Sequence, residues 1–165
     1  MMSRYDKKKE YDCIEYLEKL GATLITHFGD RHQKSGDFLM SYKDILLRID
    51  HKSTRNDGQL SVRVQKEWMC KLDNENKQFP AIPAIPIITL SFLGWRDYYC
   101  LIRTPYVKGR PWHEEFLDPE HWSWNIPTHS LINTPVILLD TEVLIMKIKT
   151  LLTMIDEGGV SNESD

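Results

Sequence analysis

Four side chains in the first third of the chain have the types and order to act together: Glu10, Asp37, Asp50 and Lys52. Glu10 stands four residues before Ile14 and seven before Leu17, so on a helix it shares their apolar face and is aimed inward. A carboxylate placed there needs a partner. Asp37 follows Ser35-Gly36 at the mouth of an apolar run, and Asp50 and Lys52, two residues apart, project from one face of an extended segment. If the two strands pair and the helix packs on them, three carboxylates and one ammonium meet on one patch. Such a patch suits hydrolysis of a phosphodiester. Hard oxygen ligands hold Mg²⁺, which keeps several waters and also grips a substrate phosphate. The ion offsets charge as the transition state develops, and a lysine beside it can orient the attacking water or stabilise that charge. The carbonyl of His51, between Asp50 and Lys52, faces the strand edge and could be a further ligand.

The elements that must position these residues are legible in outline. Ile14, Leu17, Cys13 and Leu20 fall at helical spacing, which predicts a helix over 5–20 that stops at Gly21. Ala22 to Phe28 reads as a strand, 29–36 as a polar loop, Asp37 to Tyr42 as a second strand, Lys43-Asp44 as a tight turn and Ile45 to Lys52 as a third strand. In that third strand Ile45, Leu47 and Ile49 point one way and Leu46, Arg48, Asp50 and Lys52 the other. After a polar loop over 53–58 and a short strand or lead-in over 59–64, a helix is expected over 65–74 with Trp68, Met69 and Leu72 as its buried stripe. Two further strands are expected over 87–93 and 98–103, joined around Gly94 and preceded by an extended stretch with prolines at 80, 83 and 86. Residues 104–135, rich in Pro, Trp and His, have no clean period and read as irregular, followed by a last helix over 141–155. No repeat or linker divides the chain, so one domain is expected over 1–156 with a mobile tail over 157–165.

A helix-borne acid, a strand, a loop, Ser35-Gly36-Asp37, a hairpin strand ending in Asp50-His51-Lys52, then a helix opening with Gln65: this order resembles the PD-(D/E)XK nuclease superfamily. More narrowly it is similar to the archaeal and phage Holliday-junction resolvases. Those proteins carry a glutamate about three turns ahead of the glycine ending the first helix, as Glu10 stands to Gly21, and a basic run before it, as Lys7-Lys8-Lys9 does here. The resemblance covers roughly residues 7–103. It implies an α/β, restriction-endonuclease-like fold, a mixed central sheet flanked by helices. It also implies that Glu10, Asp37 and Asp50 are metal ligands, Lys52 the catalytic lysine and Gln65 a supporting residue, and Ser35 matches a serine of the resolvases' flexible catalytic loop. The activity implied is Mg²⁺-dependent cleavage of branched DNA, with Mn²⁺ substituting, by a homodimer whose two sites are related by a two-fold axis. Two departures stand out: the acid of the Asp-x-Lys motif is more often glutamate, and the residue before Asp37 is glycine rather than proline.

With 165 residues, 41% hydrophobic and 27% charged, the chain can bury a core without disulfides or a structural metal. The net charge of −3 conceals a gradient: residues 1–71 hold 14 Lys and Arg against 11 Asp and Glu, and residues 72–165 hold 7 against 13. The basic part includes Lys7, Lys8, Lys9, Arg31, His32, Lys34 and, in the 53–58 loop, Arg55, which could meet DNA phosphates. Cys13, Cys70 and Cys100 form no CxxC pair and read as buried free thiols. A polar start and no long apolar run lead to the expectation of an intracellular, cytoplasmic protein without a membrane span. The histidines at 113, 121 and 129 contain no compact ligand pair, no phosphate-binding glycine loop occurs, and no GxSxG supports a serine hydrolase. Trp95, Trp112, Trp122 and Trp124 could stack on unpaired bases or pack under loops. Two alternatives remain: a nuclease of the same superfamily acting on DNA ends or duplex sites, and a non-catalytic DNA-binding or interaction subunit. For the four central residues, a surface ion-pair set such as Asp50 with Lys52 is the plain alternative.

Overall fold

The protein is described here by a computed structural model covering residues 4–28, 36–54, 60–109, 112–116 and 122–162, the side chains of residues 4–7 excepted. Helix α1 (Arg4–Lys19) turns Cys13, Ile14 and Leu17 inward, as their spacing requires. Strands β1 (Thr23–His27), β2 (Phe38–Tyr42) and β3 (Ile45–Thr54) then form an antiparallel meander. Lys43 and Asp44, at φ 49° and 67°, make the mirror-image two-residue turn whose twist matches the strands it joins.

The rest of the chain supplies β4 (Ser61–Gln65), α2 (Glu67–Lys77), β5 (Ile85–Phe92), β6 (Tyr99–Arg103), a 3-10 turn (Thr104–Tyr106), β7 (Glu114–Phe116), β8 (Ser123–Pro127), α3 (Thr128–Asn133), β9 (Val136–Leu139), β10 (Val143–Lys147) and α4 (Ile148–Asp156). Eight strands form one mixed sheet in the order β1-β2-β3-β5-β6-β10-β9-β7, in which β3 and β5, and β7 and β9, run parallel. β4 and β8 pair separately. One face of the large sheet buries Cys13, Ile14 and Leu17 of α1 with Ile148, Leu151, Leu152 and Ile155 of α4. The other buries Met69 and Leu72 of α2 with Val62, Val64, Trp124 and Ile126 of the small sheet. The α/β architecture with a mixed central sheet flanked by helices is therefore as expected.

Several local expectations are corrected. Residues 143–147 are a strand rather than part of a helix, because Val143, Leu144, Ile145 and Met146 lie between β6 and β9 and are buried on both faces. An apolar run of that length carries no period by which strand and helix can be told apart. The stretch over 104–135 is not irregular throughout: it holds β7, β8 and α3. β5 begins at Ile85 and includes Pro86, which is tolerated because β6 pairs with β5 only from Ile88 to Leu90. The end of the chain is docked as far as Asn162: Val160 is buried and bridges Val107, Ser161 N–H donates to the Tyr106 carbonyl, and Asn162 donates to the Pro83 carbonyl. Cys13 and Cys100 are buried, whereas Cys70 is exposed. Among the described residues no helix is long and apolar enough to cross a membrane.

Candidate active site

The candidate site forms where β3 runs past the start of β2. The ladder between them ends at Phe38 and Ile49, so Asp37 stands one residue beyond it. Its N–H donates to the Ile49 carbonyl at 2.8 Å, and its Oδ2 accepts the N–H of His51 at 2.8 Å. A residue in an extended strand turns its N–H and C=O to the same side. The carbonyl of His51 therefore also faces Asp37, as its place at the strand edge suggests.

Gly36 makes this approach possible. Its φ is +78°, and a Cβ there would lie 2.9 Å from the Ile49 carbonyl oxygen. Proline, held near φ −65°, cannot take that conformation, which accounts for glycine before Asp37. The Gly36 N–H donates to Glu75 Oε2 on α2 at 2.8 Å. Beside Glu75, Asn76 accepts from the wholly buried Arg48 of β3 at 2.7 Å and donates to the Ala84 carbonyl. The C-terminal turn of α2 thus fixes both the loop entering Asp37 and the strand leading to Asp50.

Asp50 and Lys52 share a face, as the alternation requires, with Lys52 Nζ 3.2 Å from Asp50 Oδ2. That ion pair is also what the plain surface reading expects. The Lys52 ammonium lies 5.8 Å from the ring centre of Trp68 on α2. Glu10 reaches the same end of the sheet from α1. It is only 3% exposed, and neither carboxyl oxygen has a hydrogen-bond partner. Burial, with the nearby charge of Asp50 adding to it, holds the Glu10 carboxyl above the ordinary carboxylate range. Asp37 is pushed up to about 9, by burial first and then by the charge of Asp50. Glu15, the next acid but one along α1, is exposed and pairs with Lys19.

The imidazole of His51 belongs to the opposite face. Its Nδ1 bonds Thr89 Oγ1 at 2.7 Å and its Nε2 bonds Ser91 Oγ at 3.1 Å, and the ring stacks on Tyr98. Burial, with Lys9 and Lys52 adding to it, lowers its pKa to about 3, so the ring is neutral. The ring thus lies on the α1 side, away from Asp50 and Lys52, while the His51 N–H meets Asp37.

Gln65 does not open the helix. It is the exposed last residue of β4, opposite Ser123, and α2 begins at Glu67 after an N-cap Lys66 that makes no side-chain cap bond. Lys8 is exposed and Lys9 half-buried, whereas Arg31, His32, Lys34, Ser35 and Arg55 lie outside the described residues, as does the Lys7 side chain. Of the tryptophans, Trp124 is buried, Trp95 and Trp112 pack against the cores, and Trp122 is 93% exposed. Sequence reading missed His27 of β1, whose Nε2 lies 3.8 Å from Glu10 Oε1.

No protein-family model matches the chain, and no curated protein does. Among solved structures it is similar to Archaeoglobus fulgidus Hjc, a Holliday junction resolvase from an archaeal hyperthermophile, with a TM-score of 0.50 and 12% identity over 88% of this chain and 98% of that one. The chain shares the fold of that protein. In that fold the meander β1-β2-β3, the parallel strand β5 and helix α1 surround the four residues named above. Among the described residues no three His, Cys, Asp or Glu side chains are already arranged to hold a metal ion, so the ligands would have to close on one. Their chemistry suits a hard divalent cation: two unpartnered buried oxygens on Glu10, a second carboxylate driven toward its neutral form and a third beside it.

Proposed function

We propose that this protein is a divalent-cation-dependent DNA endonuclease, with Mg²⁺ the ion expected and Mn²⁺ substituting, that cuts branched DNA in the manner of a Holliday-junction resolvase. The observation that supports it is the meeting of Glu10, Asp37, Asp50 and Lys52 at one end of a nuclease-fold sheet. Glu10, Asp37, Asp50 and the His51 carbonyl would hold the ion, which when bound supplies positive charge at the scissile phosphate. The His51 peptide orients Asp37 through its N–H, and Asp50 holds Lys52 by their ion pair. Lys52 then orients the attacking water and stabilises charge developing on the phosphate oxygens. Trp68 confines the lysine on its other side. Lys8 and Lys9, with the basic residues at 7, 31, 34 and 55 and the hydroxyl of Ser35, contact the DNA backbone; Gln65, exposed at the end of β4, is assigned to substrate rather than to the ion. Symmetric cutting of a junction calls for two such sites in a homodimer.

The test incubates the protein with a labelled four-way junction and the matching duplex, with and without Mg²⁺, beside Asp50→Ala. Paired Mg²⁺-dependent nicks at the junction, lost in the variant, are expected. Cleavage of the duplex alone would move the activity to another nuclease branch, and binding without cleavage would overturn the catalytic reading.

A further inference from the structure

We infer, resting on the nuclease reading above, that His27 is a nitrogen ligand of the same centre and that the centre therefore binds a transition-metal cation such as Mn²⁺ more tightly than Mg²⁺, the ion expected to support cleavage. His27 Nε2 and both Glu10 carboxyl oxygens are buried, and none has a hydrogen-bond partner. The His27 and Glu10 side chains are 16% and 4% exposed, so bulk solvent does not reach these atoms. Nε2 and Oε1 are 3.8 Å apart, too far for a hydrogen bond. Bonds of about 2.0–2.2 Å from a nitrogen and an oxygen to one ion put neighbouring ligand atoms roughly 2.8–3.6 Å apart, so closure by a few tenths of an ångström would bring both onto one ion. The imidazole is held in place by the Tyr11 ring at 4.9 Å and the Phe38 ring at 6.2 Å, both edge-on. Asp37, whose Oδ2 accepts the His51 N–H, adds a further carboxyl group beside Glu10 and Asp50.

The donor set is then one imidazole with carboxylates from α1, β2 and β3. Mg²⁺ binds through oxygen and water and gains little from an imidazole, whereas first-row transition metals accept nitrogen readily. A site of carboxylates alone has no such bias. The imidazole of His51 cannot serve this role, since both ring nitrogens are already bonded to hydroxyl groups.

Pulsed electron paramagnetic resonance on the Mn²⁺-loaded protein gives a direct reading, with Mn²⁺ and Mg²⁺ affinities measured by calorimetry. The expected spectrum shows ¹⁴N modulation that changes to the ¹⁵N pattern when histidine is ¹⁵N-labelled, an arm that needs no substitution. In His27→Gln the modulation disappears and Mn²⁺ affinity falls on the order of 10-fold or more while Mg²⁺ affinity barely changes; His32→Gln keeps the signal. Mn²⁺ bound without nitrogen coupling, or coupling that survives His27→Gln, overturns this inference and leaves the nuclease reading standing. Failure of any divalent cation to bind overturns both.

Discussion

Two buried polar clusters lie on this fold, and they are built in opposite ways. Around Asp140, charge is matched: Lys66 Nζ lies 2.9 Å from its carboxylate, the Trp124 indole N–H donates to it at 2.5 Å, and the same ammonium sits over the Trp124 ring. Around Asp37, carboxyl groups are in surplus: three gather beside Lys52, and the two Glu10 carboxyl oxygens are buried without a hydrogen-bond partner. The first cluster fastens the small sheet to the large one and asks for nothing further. The second is stable only as far as protons or a cation relieve it, which is the behaviour the proposed metal centre requires.

Removing the acids one at a time should draw the two clusters apart. Asp50→Ala should lower Mg²⁺-dependent cleavage by roughly 10²–10³-fold, corresponding to several kcal/mol of transition-state stabilisation, while thermal unfolding without metal is unchanged or shifts upward. Equal loss of stability and activity would place Asp50 with the structural ties. Asp140→Ala should do the reverse, destabilising by about 1–3 kcal/mol through loss of the Lys66 ion pair and the Trp124 hydrogen bond, with cleavage per folded molecule kept in a single-turnover assay.

Gly36→Ala tests whether the backbone itself belongs to the site. The strained φ and the approach to Ile49 should destabilise by about 1–3 kcal/mol, and cleavage should fall further than the loss of folded protein explains, because Asp37 is the next residue. Denaturant unfolding beside a specific-activity measurement separates the two effects.

The smallest expected effect is the metal's own. A carboxyl whose pKa is raised on folding contributes stability that is complete below its ordinary value and is lost as pH rises through the raised one, here about 9 for Asp37. Without metal the protein should therefore weaken as pH climbs from about 4 toward 9. Mg²⁺ at ten times its Kd should restore about 1.4 kcal/mol, or a few degrees in Tm, near pH 8. At pH 5 protons occupy the same sites, and the gain should shrink. A gain independent of pH would mean that the ion binds away from these acids.

The part of the site that sequence reading reached is the part written in short periods. Glu10 is given away by Ile14 and Leu17, and the shared face of Asp50 and Lys52 by alternation over eight residues. Gln65 was misplaced because α2 starts without a capping side chain, while Val62 and Val64 alternate over too short a stretch to separate a strand from a helix lead-in. Ser123-Trp124-Asn125-Ile126 alternates cleanly, but prolines and tryptophans around it masked the strand. His27, Glu75 and Arg48 left no local signal, since each matters through residues far away in the chain: His27 through Glu10, Glu75 through Gly36, Arg48 through Asn76.

The placing of β10 has a consequence for how the molecule is made. Residues 23–103 supply β1, β2, β3, β5 and β6 in chain order, so every strand around the candidate centre leaves the ribosome before β10 is synthesised. Until Val143–Lys147 arrive, the outer edge of β6 is an open row of backbone donors and acceptors flanked by Tyr99, Cys100, Leu101 and Ile102. Such an edge recruits other chains. The segment 143–162, which carries β10, α4 and the docked Val160, therefore acts as the closure that keeps the half made first from joining its neighbours on the polysome.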